Sequence, residues 1–536
     1  MIAAIVTLAL AITPHAIRAH INFLASDTLE GREAGTRGYD VAAAYVAAQF
    51  EAVGAEPAGD DGTYFQQIKL RTLRLDPAKS SFMISGVAFG HRKDVLISTA
   101  TESTSDVDAP VVFAGFGIIA PELGHDDYRD LDVRGKVVAL LAGAPPSFPH
   151  SQRAYYSSGT VKLANAAVRG AIGTVLVRTH DSERRFSWER TIATGDSTAM
   201  RALDRNGVPM ETFPQIRGGA ALGPVAAKAL FEGESATLDT ILADAENGIA
   251  KPFALKKRIA IHATTTLGNT TSPNVVAIVR GSTLPDEHVV VTAHLDHVGI
   301  ADRGEDRIRN GALDNASGIA ALIEIARAVA AMNPRPKRSI AFAAVTAEEK
   351  GIQGSLAFAD RPSVEGTIIA NVNMDMITML FPMKSLVALG IEHSTLAPMA
   401  RDAAQRNGFA IQDDPQPEEV RFIRSDQFSF VKKGIPAISY KGGLVSADPA
   451  IDGDKLTRDW MRTIYHSADD EREQKLDYDT GARWARTNLD LAVAIANANE
   501  RPRWNEGDFF GTRFGTPAVV AASRAATPGG RRESPH

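Results

Sequence analysis

The spacing of apolar and polar positions changes its rhythm along this chain. Ile2 to Ile12 (IAAIVTLALAI) is an apolar run, interrupted only by Thr7 and closed by Thr13-Pro14. Beyond it His15 to Val53 reads as helix, with Val41, Tyr45, Ala48 and Ala52 at helical spacing and Gly54 as a stop. A polar turn, Gly59-Asp60-Asp61-Gly62, follows. From about Ser85 to Ala260 short β runs such as Val111-Val112-Phe113 and Val137 to Leu141 are parted by Gly/Pro turns, including Gly143 to Pro146. From about Ser272 the rhythm becomes apolar strand, loop and helix in alternation. Val275 to Val279, His288 to Thr292, Ile340 to Val345, Ile368 to Val372 and Ala437 to Tyr440 read as strands. Asn315 to Met332 reads as a helix with Ile319, Leu322, Ile323 and Ala326 on one face, and Tyr478 to Asn499 as a closing helix. Strands alternating with helices argue for an α/β layered domain.

Composition narrows the class. The 536 residues amount to roughly three domains of about 150 residues each. At 44% hydrophobic and 23% charged the chain is ordinary for a folded protein, which excludes a disordered chain, a collagen and a multi-span membrane protein. The formal charge of −6 lacks the basic excess of a nucleic-acid binder. The absence of cysteine excludes disulfides, thiolate zinc sites and a cysteine nucleophile. Ile2 to Ile12 is shorter than the roughly 20 apolar residues a bilayer span needs. It has the length of a signal-peptide core, with Ala9-Leu10-Ala11 as a small-x-small cleavage site, although no Lys or Arg precedes Arg18. The expectation is a leader over residues 1–14 and export to the periplasm or beyond, against a buried N-terminal segment as the plain alternative. No integral membrane span is expected. Val520 to His536, rich in Pro, Gly and Arg, reads as a disordered tail.

Titratable residues recur where the α/β strands end. VVVTA leads into His294-Leu295-Asp296, IAFAAVTA into Glu348-Glu349, and IIANVNM into Asp375. Ligands bind beyond the carboxyl ends of strands in open α/β sheets, so these endings converge. Asp314 precedes a helix, and His466 lies in Tyr465-His466-Ser467-Ala468-Asp469 after a long loop. Each part alone has a bland structural reading: a capping pair for His-x-Asp, an N-cap for Asp314, a solvated strand end for Glu-Glu. Asp375 fits that reading least, because a carboxylate beside an apolar run is costly to bury unless paired or bound to a cation. Together the residues make two imidazoles (His294, His466) and three carboxylates (Asp314, Glu349, Asp375), with Glu348 left over. Such a set suits Zn²⁺, and five ligands suit two metals bridged by one carboxylate better than one tetrahedral ion.

The motifs AHLDH, GALDNASG, AEEKG, NMDM and YHSADD resemble, in order and spacing, those of the co-catalytic zinc peptidases typified by aminopeptidase Y and the bacterial leucyl aminopeptidases. The resemblance implies a three-layer α/β/α domain with a mixed, mostly parallel sheet, two Zn²⁺ per chain, and a peptide substrate. It implies His294 and Asp375 on one zinc, Glu349 and His466 on the other, and Asp314 bridging. It further implies Glu348 as general base, Asp296 orienting His294, Tyr465 polarising a carbonyl, and Arg424 and Asp426 in a loop beside the substrate. Asp126-Asp127-Tyr128, Asp132 to Val138 and Lys162 to Val177 resemble a protease-associated domain, whose partner is unknown; His20, Leu24 to Asp27 and Gly31-Arg32 resemble the N-terminal helix of exported members. The expected division is 1–14 leader, 15–84 N-terminal helix and strand, 85–260 β-rich protease-associated insert, 261–505 peptidase domain and 506–536 tail.

His297 makes an H-x-x-H with His294 and is set aside, because residues i and i+3 at a strand end do not meet on one metal. Asn269-Thr270-Thr271 and Asn315-Ala316-Ser317 fit the glycosylation pattern by chance. Asp469 is favoured slightly as a hydrogen-bond partner near the metals rather than as an exposed acid. The function expected is removal of N-terminal residues from peptides. The alternatives are a carboxypeptidase, dipeptidase or glutaminyl cyclase on the same scaffold, or a receptor that has lost catalysis.

Overall fold

The computed structural model describes residues 12–194 and 198–515. The leader expected over 1–14 therefore lies outside the described residues except for Ile12 to Pro14, and the tail over 520–536 lies outside them altogether. Helix α1 (Pro14–Leu24) begins where the Thr13 hydroxyl accepts from the Ala16 N–H at 3.2 Å, with Pro14 in the first turn. Helix α2 (Arg37–Ala52) is capped by Thr36. The single helix expected over 15–53 is thus two. A tight turn at Asp27–Arg32 parts them, with Gly31 at φ +69°. Only glycine fits there, because a Cβ would lie 2.5 Å from the Arg309 carbonyl oxygen.

Strand β1 (Phe65–Leu75) follows, and the chain then enters the insert. There β2 (Thr104–Phe113), β3 (Val137–Leu141), β4 (Gly173–Val177) and β5 (Gly218–Leu222) lie side by side in parallel. Helix α3 (Gly159–Val168) connects β3 to β4, and the short helix α4 (Trp188–Thr194) follows β4. Strand β6 (Phe253–Val279) then runs unbroken for 27 residues. Its first part pairs antiparallel with β2, and from Thr265 onward it pairs with β1. One strand therefore serves both sheets and carries the chain straight through position 260. Alternate burial of Ile259, Ile261, Ala263 and Thr265 gives it the period of a half-buried strand across that point.

The second sheet adds β7 (Leu284–His294), β8 (Arg338–Val345), β9 (Thr367–Asn373), β10 (Ser385–Leu389) and β11 (Ala437–Gly442). Its order is β1-β6-β8-β7-β9-β11-β10, parallel from β8 to β11 and antiparallel at both flanks. The central strands are buried along almost their whole length, as expected of a sheet covered on both faces. Helices α1, α2, α5 (Ser317–Ala330) and α7 (Tyr478–Asn497) cover one face, with Ile21, Phe50, Ile319, Leu322 and Trp484 in that core. Phe358 and Phe430, from short helices on the other side, cover the opposite face. This is the layered α/β arrangement that the strand–helix alternation implied, with the mostly parallel sheet that the resemblance implied. Its parallel strands all point their carboxyl ends to one edge, and the site lies there.

Residues 506–515, expected as the start of a tail, are ordered. Helix α8 (Phe509–Phe514) buries Phe510 against Phe422 and Phe428, with ring centroids 5.3 and 6.1 Å away, while Phe509 meets Tyr155 of the insert at 5.6 Å. Three aromatic residues within six positions supply the apolar area that a polar tail lacks.

Candidate metal and catalytic site

Five elements deliver the charged groups to one place. His294 is the last residue of β7; Glu348 and Glu349 follow β8; Asp375 follows β9. Asp314 sits in the irregular turn Ala312–Ala316 that opens α5. His466 follows helix α6 (Gly453–Thr463) in a left-handed conformation, φ +59°, which histidine tolerates better than most residues.

The side chains form two groups that share Asp314. His294 Nε2 is 3.3 Å from Asp314 Oδ1 and 3.6 Å from Asp375 Oδ1. His466 Nε2 is 3.1 Å from both Asp314 Oδ2 and Glu349 Oε1. His297 joins the second group, its Nδ1 2.9 Å from Glu349 Oε1, while its other ring nitrogen is buried without a partner. His294 and His297 thus fall in different groups, and His297 stands closer to the chemistry than its setting aside implied. The donor atoms of His294, Asp314 and Asp375 lie within 4.8 Å of one another, as do those of His297, Asp314, Glu349 and His466.

Electrostatics follows from burial and pairing. Burial works against ionisation of Asp314, yet the hydrogen bonds of His294 and His466 hold its carboxyl well below the usual range. Glu349 is likewise held down at about 2, chiefly by His466 with His297 assisting. Glu348 goes the other way: burial, reinforced by Glu349 and Asp375, pushes it well above an ordinary glutamate. Asp426 is fully buried, its two oxygens have no hydrogen-bond partner, and burial raises it to about 6. So much buried acid with imidazole donors fits divalent cations, which carry the compensating charge and accept N and O ligands.

Asp296 does not meet His294 as expected. The imidazole Nδ1 faces the main-chain oxygen of Asp296 at 3.1 Å. The Asp296 carboxylate instead accepts from the N–H groups of Glu348 and Glu349, at 3.0 and 3.2 Å, and so sets the backbone that carries both glutamates. Tyr465 stacks on His466 with ring centroids 3.9 Å apart, and burial together with Asp314 and Glu349 keeps its phenol protonated. Arg424 is exposed and pairs with Glu419 at 3.2 Å, while Asp426 is fully buried.

Several residues that brace the site were given no role by the motifs they lie in or near. Asp470, not Asp469, is the buried acid: it accepts from Leu313 N and Asp314 N at 3.0 and 3.1 Å, whereas Asp469 is exposed. The Asn315 side chain bonds Met374 O and Met376 N, at 3.0 and 2.9 Å, and so grips the residues on either side of Asp375. Buried there, it is no glycosylation acceptor. Lys441 pairs with Asp375 Oδ2 at 3.1 Å. Arg32, fully buried, donates to the carbonyls of Leu24, Leu295, Asn310 and Gly311 and ties the N-terminal turn to two of the site loops. The acid pairs in sequence gave no means of telling Asp469 from Asp470, and an arginine serving carbonyls leaves no pattern.

A layered α/β sheet whose strand ends gather two histidine–carboxylate groups around one shared aspartate defines a class, and comparison with known proteins agrees. Residues 274–492 match Peptidase family M28. The fold is similar to that of an aminopeptidase from Aneurinibacillus sp. strain AM-1, at TM-score 0.53 and 18% identity, over 93% of this chain and 96% of that one. By sequence, a stretch of 131 residues is 31% identical to the aminopeptidase NAALADL1 of Mus musculus, covering 23% of this chain and 16% of that protein. Another of 84 residues is 43% identical to a probable zinc metalloprotease of Leptosphaeria maculans, covering 15% and 19%. The chain thus spans less than a fifth of the length of these curated relatives.

Proposed function

We propose that the protein is a metal-dependent exopeptidase, an aminopeptidase that removes N-terminal residues from peptides using two zinc ions. The observation that carries this reading is Asp314 common to both donor groups, with Glu348 beside them, within the field of His294 but in neither group. His294, Asp314 and Asp375 would hold one ion and Asp314, Glu349 and His466 the other, with His297 adjoining the second. Bound there, the metal supplies Lewis-acid polarisation of a carbonyl and acidification of a water.

The chain's own residues do the rest. Glu348, its carboxyl pushed up by burial, takes the proton from the attacking water and passes it to the departing amine. Tyr465, kept as a phenol, donates a hydrogen bond to the carbonyl oxygen as charge develops on it. Asp296 holds the Glu348–Glu349 backbone, which fixes where that proton is taken. The insert is read as a protease-associated domain on its sequence resemblance, and the apolar run Ile2 to Ile12 as an export signal.

Purified protein incubated with free, N-acetylated and C-amidated peptides, with and without chelator, tests the reading by mass spectrometry. Stepwise shortening of only those peptides with a free N-terminus, stopped by chelator, is expected. Loss of residues from the C-terminus of N-acetylated peptides would replace the aminopeptidase with a carboxypeptidase. Glu348→Gln is expected to lower kcat by about 10²–10⁴-fold while metal content is unchanged; normal turnover would remove Glu348 from its role.

A further inference from the structure

The insert does not merely stand beside the site. Helix α6 ends at Thr463, where its last carbonyls lack partners within the helix. The chain then turns through Tyr465 into His466, whose left-handed backbone points it back to Asp314 and Glu349. The guanidinium of Arg190, on helix α4 of the insert, reaches this joint. Its Nη1 donates to Met461 O at 3.1 Å and Arg462 O at 3.2 Å, and its Nη2 to Tyr465 O at 2.5 Å. The same group lies over the Phe186 ring at 4.9 Å and the Tyr465 ring at 5.9 Å. A planar fork with several N–H groups is the side chain that can serve three carbonyls and two ring faces at once. The positive charge also suits a helix C-terminus.

The arm that carries Arg190 is anchored in the insert. Trp188 is buried, its indole N–H donates to Lys93 O at 2.8 Å, and its backbone N–H donates to Glu183 Oε1 at 2.7 Å. The next turn is held by Arg92, which donates to Ile192 O at 2.9 Å. Placement of the insert is thus transmitted through one side chain to the backbone from which Tyr465 and His466 project.

We propose that Arg190 is a positioning residue for the Tyr465–His466 segment, so that the insert completes the site by fixing one imidazole and one phenol. The kinetic arm of the test rests on the peptidase reading; the other arms do not. In the full chain, Arg190→Ala is expected to speed hydrogen exchange of the amides of residues 464–467 on the order of tenfold, leaving the β4 amides unchanged. Zinc titrated into the metal-free variant is expected to bind about 10–100-fold more weakly at one of its sites, with kcat falling by a similar factor and KM little altered. Added guanidinium ion is expected to restore part of each loss. Arg190→Lys is expected to recover less than guanidinium does, since one ammonium cannot span three carbonyls.

Unchanged exchange over 464–467 would overturn the proposal, whatever the protein cleaves. Equal loosening of β4 would also overturn it, by making Arg190 a general support of the insert. If the wild-type chain cleaves no peptide, the exchange and zinc arms still decide for or against Arg190, and that failure belongs to the peptidase reading alone.

Discussion

Asp469 and Asp470 are neighbours in sequence and opposites in environment. The Asp470 carboxylate accepts two backbone N–H groups from the turn that presents Asp314 and a third hydrogen bond from Gln474 at 2.7 Å; Asp469 faces solvent. Asp470→Ala leaves those buried donors unpaired and lets Asp314 drift. It is expected to lower metal affinity about 10–100-fold and stability by about 1–3 kcal/mol, read by metal titration and denaturant unfolding. Asp469→Ala is expected to stay within about 0.5 kcal/mol of the parent in the same experiments. The five motif residues and Glu348 were legible because their types and order are unusual. Asp470 and Asn315 were not, because a single acid or amide acquires its role from the partner that folding brings, and neither partner adjoins it in sequence. Asp296 shows the same limit from inside a motif: its position was readable, but which of its oxygens faces His294 depended on the loop.

At the level of elements, polar side chains buried against carbonyls tie loops to strands. Arg32 serves four carbonyls from the turn between α1 and α2. Arg32→Met strands three of them, Gly311 O keeping the Ala316 N–H at 3.2 Å, and a loss of about 3 kcal/mol or more is expected from denaturant unfolding, with weakened metal binding because Asn310 and Gly311 lead into the Asp314 turn. Lys162, on α3, plays the corresponding part in the insert, donating to the carbonyls of Phe116, Leu141 and Gly143 from full burial. Burial pulls its ammonium down from 10.5 to about 7. A base depressed in the folded state is protonated only in the unfolded chain between those two values, so stability rises as pH goes from about 7 towards 10.5. The ceiling is about 5 kcal/mol, which the three acceptors reduce by favouring the charged form. Unfolding midpoints followed from pH 6.5 to 9.5 are expected to climb in the parent relative to Lys162→Met.

Over the whole molecule, the buried acids of the site need compensating charge. Removal of metal by a chelator is expected to lower the thermal midpoint as well as abolish activity, both returning when zinc is added back. Zinc at 1,000 times its Kd corresponds to about 4 kcal/mol of stabilisation. Helix α8 closes the seam between insert and sheet domain through Phe510. Phe510→Ala is expected to cost about 3–5 kcal/mol and to broaden unfolding as the two parts lose their common core, which calorimetry would resolve. The strand–helix alternation and the charged residues at the strand ends were determined by sequence alone, because hydrophobic period and residue type are local properties; the parallel direction of the central strands was implied there only by the family resemblance. The break at Gly31, the strand running through position 260, the ordered α8 and the reach of Arg190 to Tyr465 were decided only by tertiary structure. Each depends on contacts between segments far apart in the chain, and local pattern holds no record of which segments will meet.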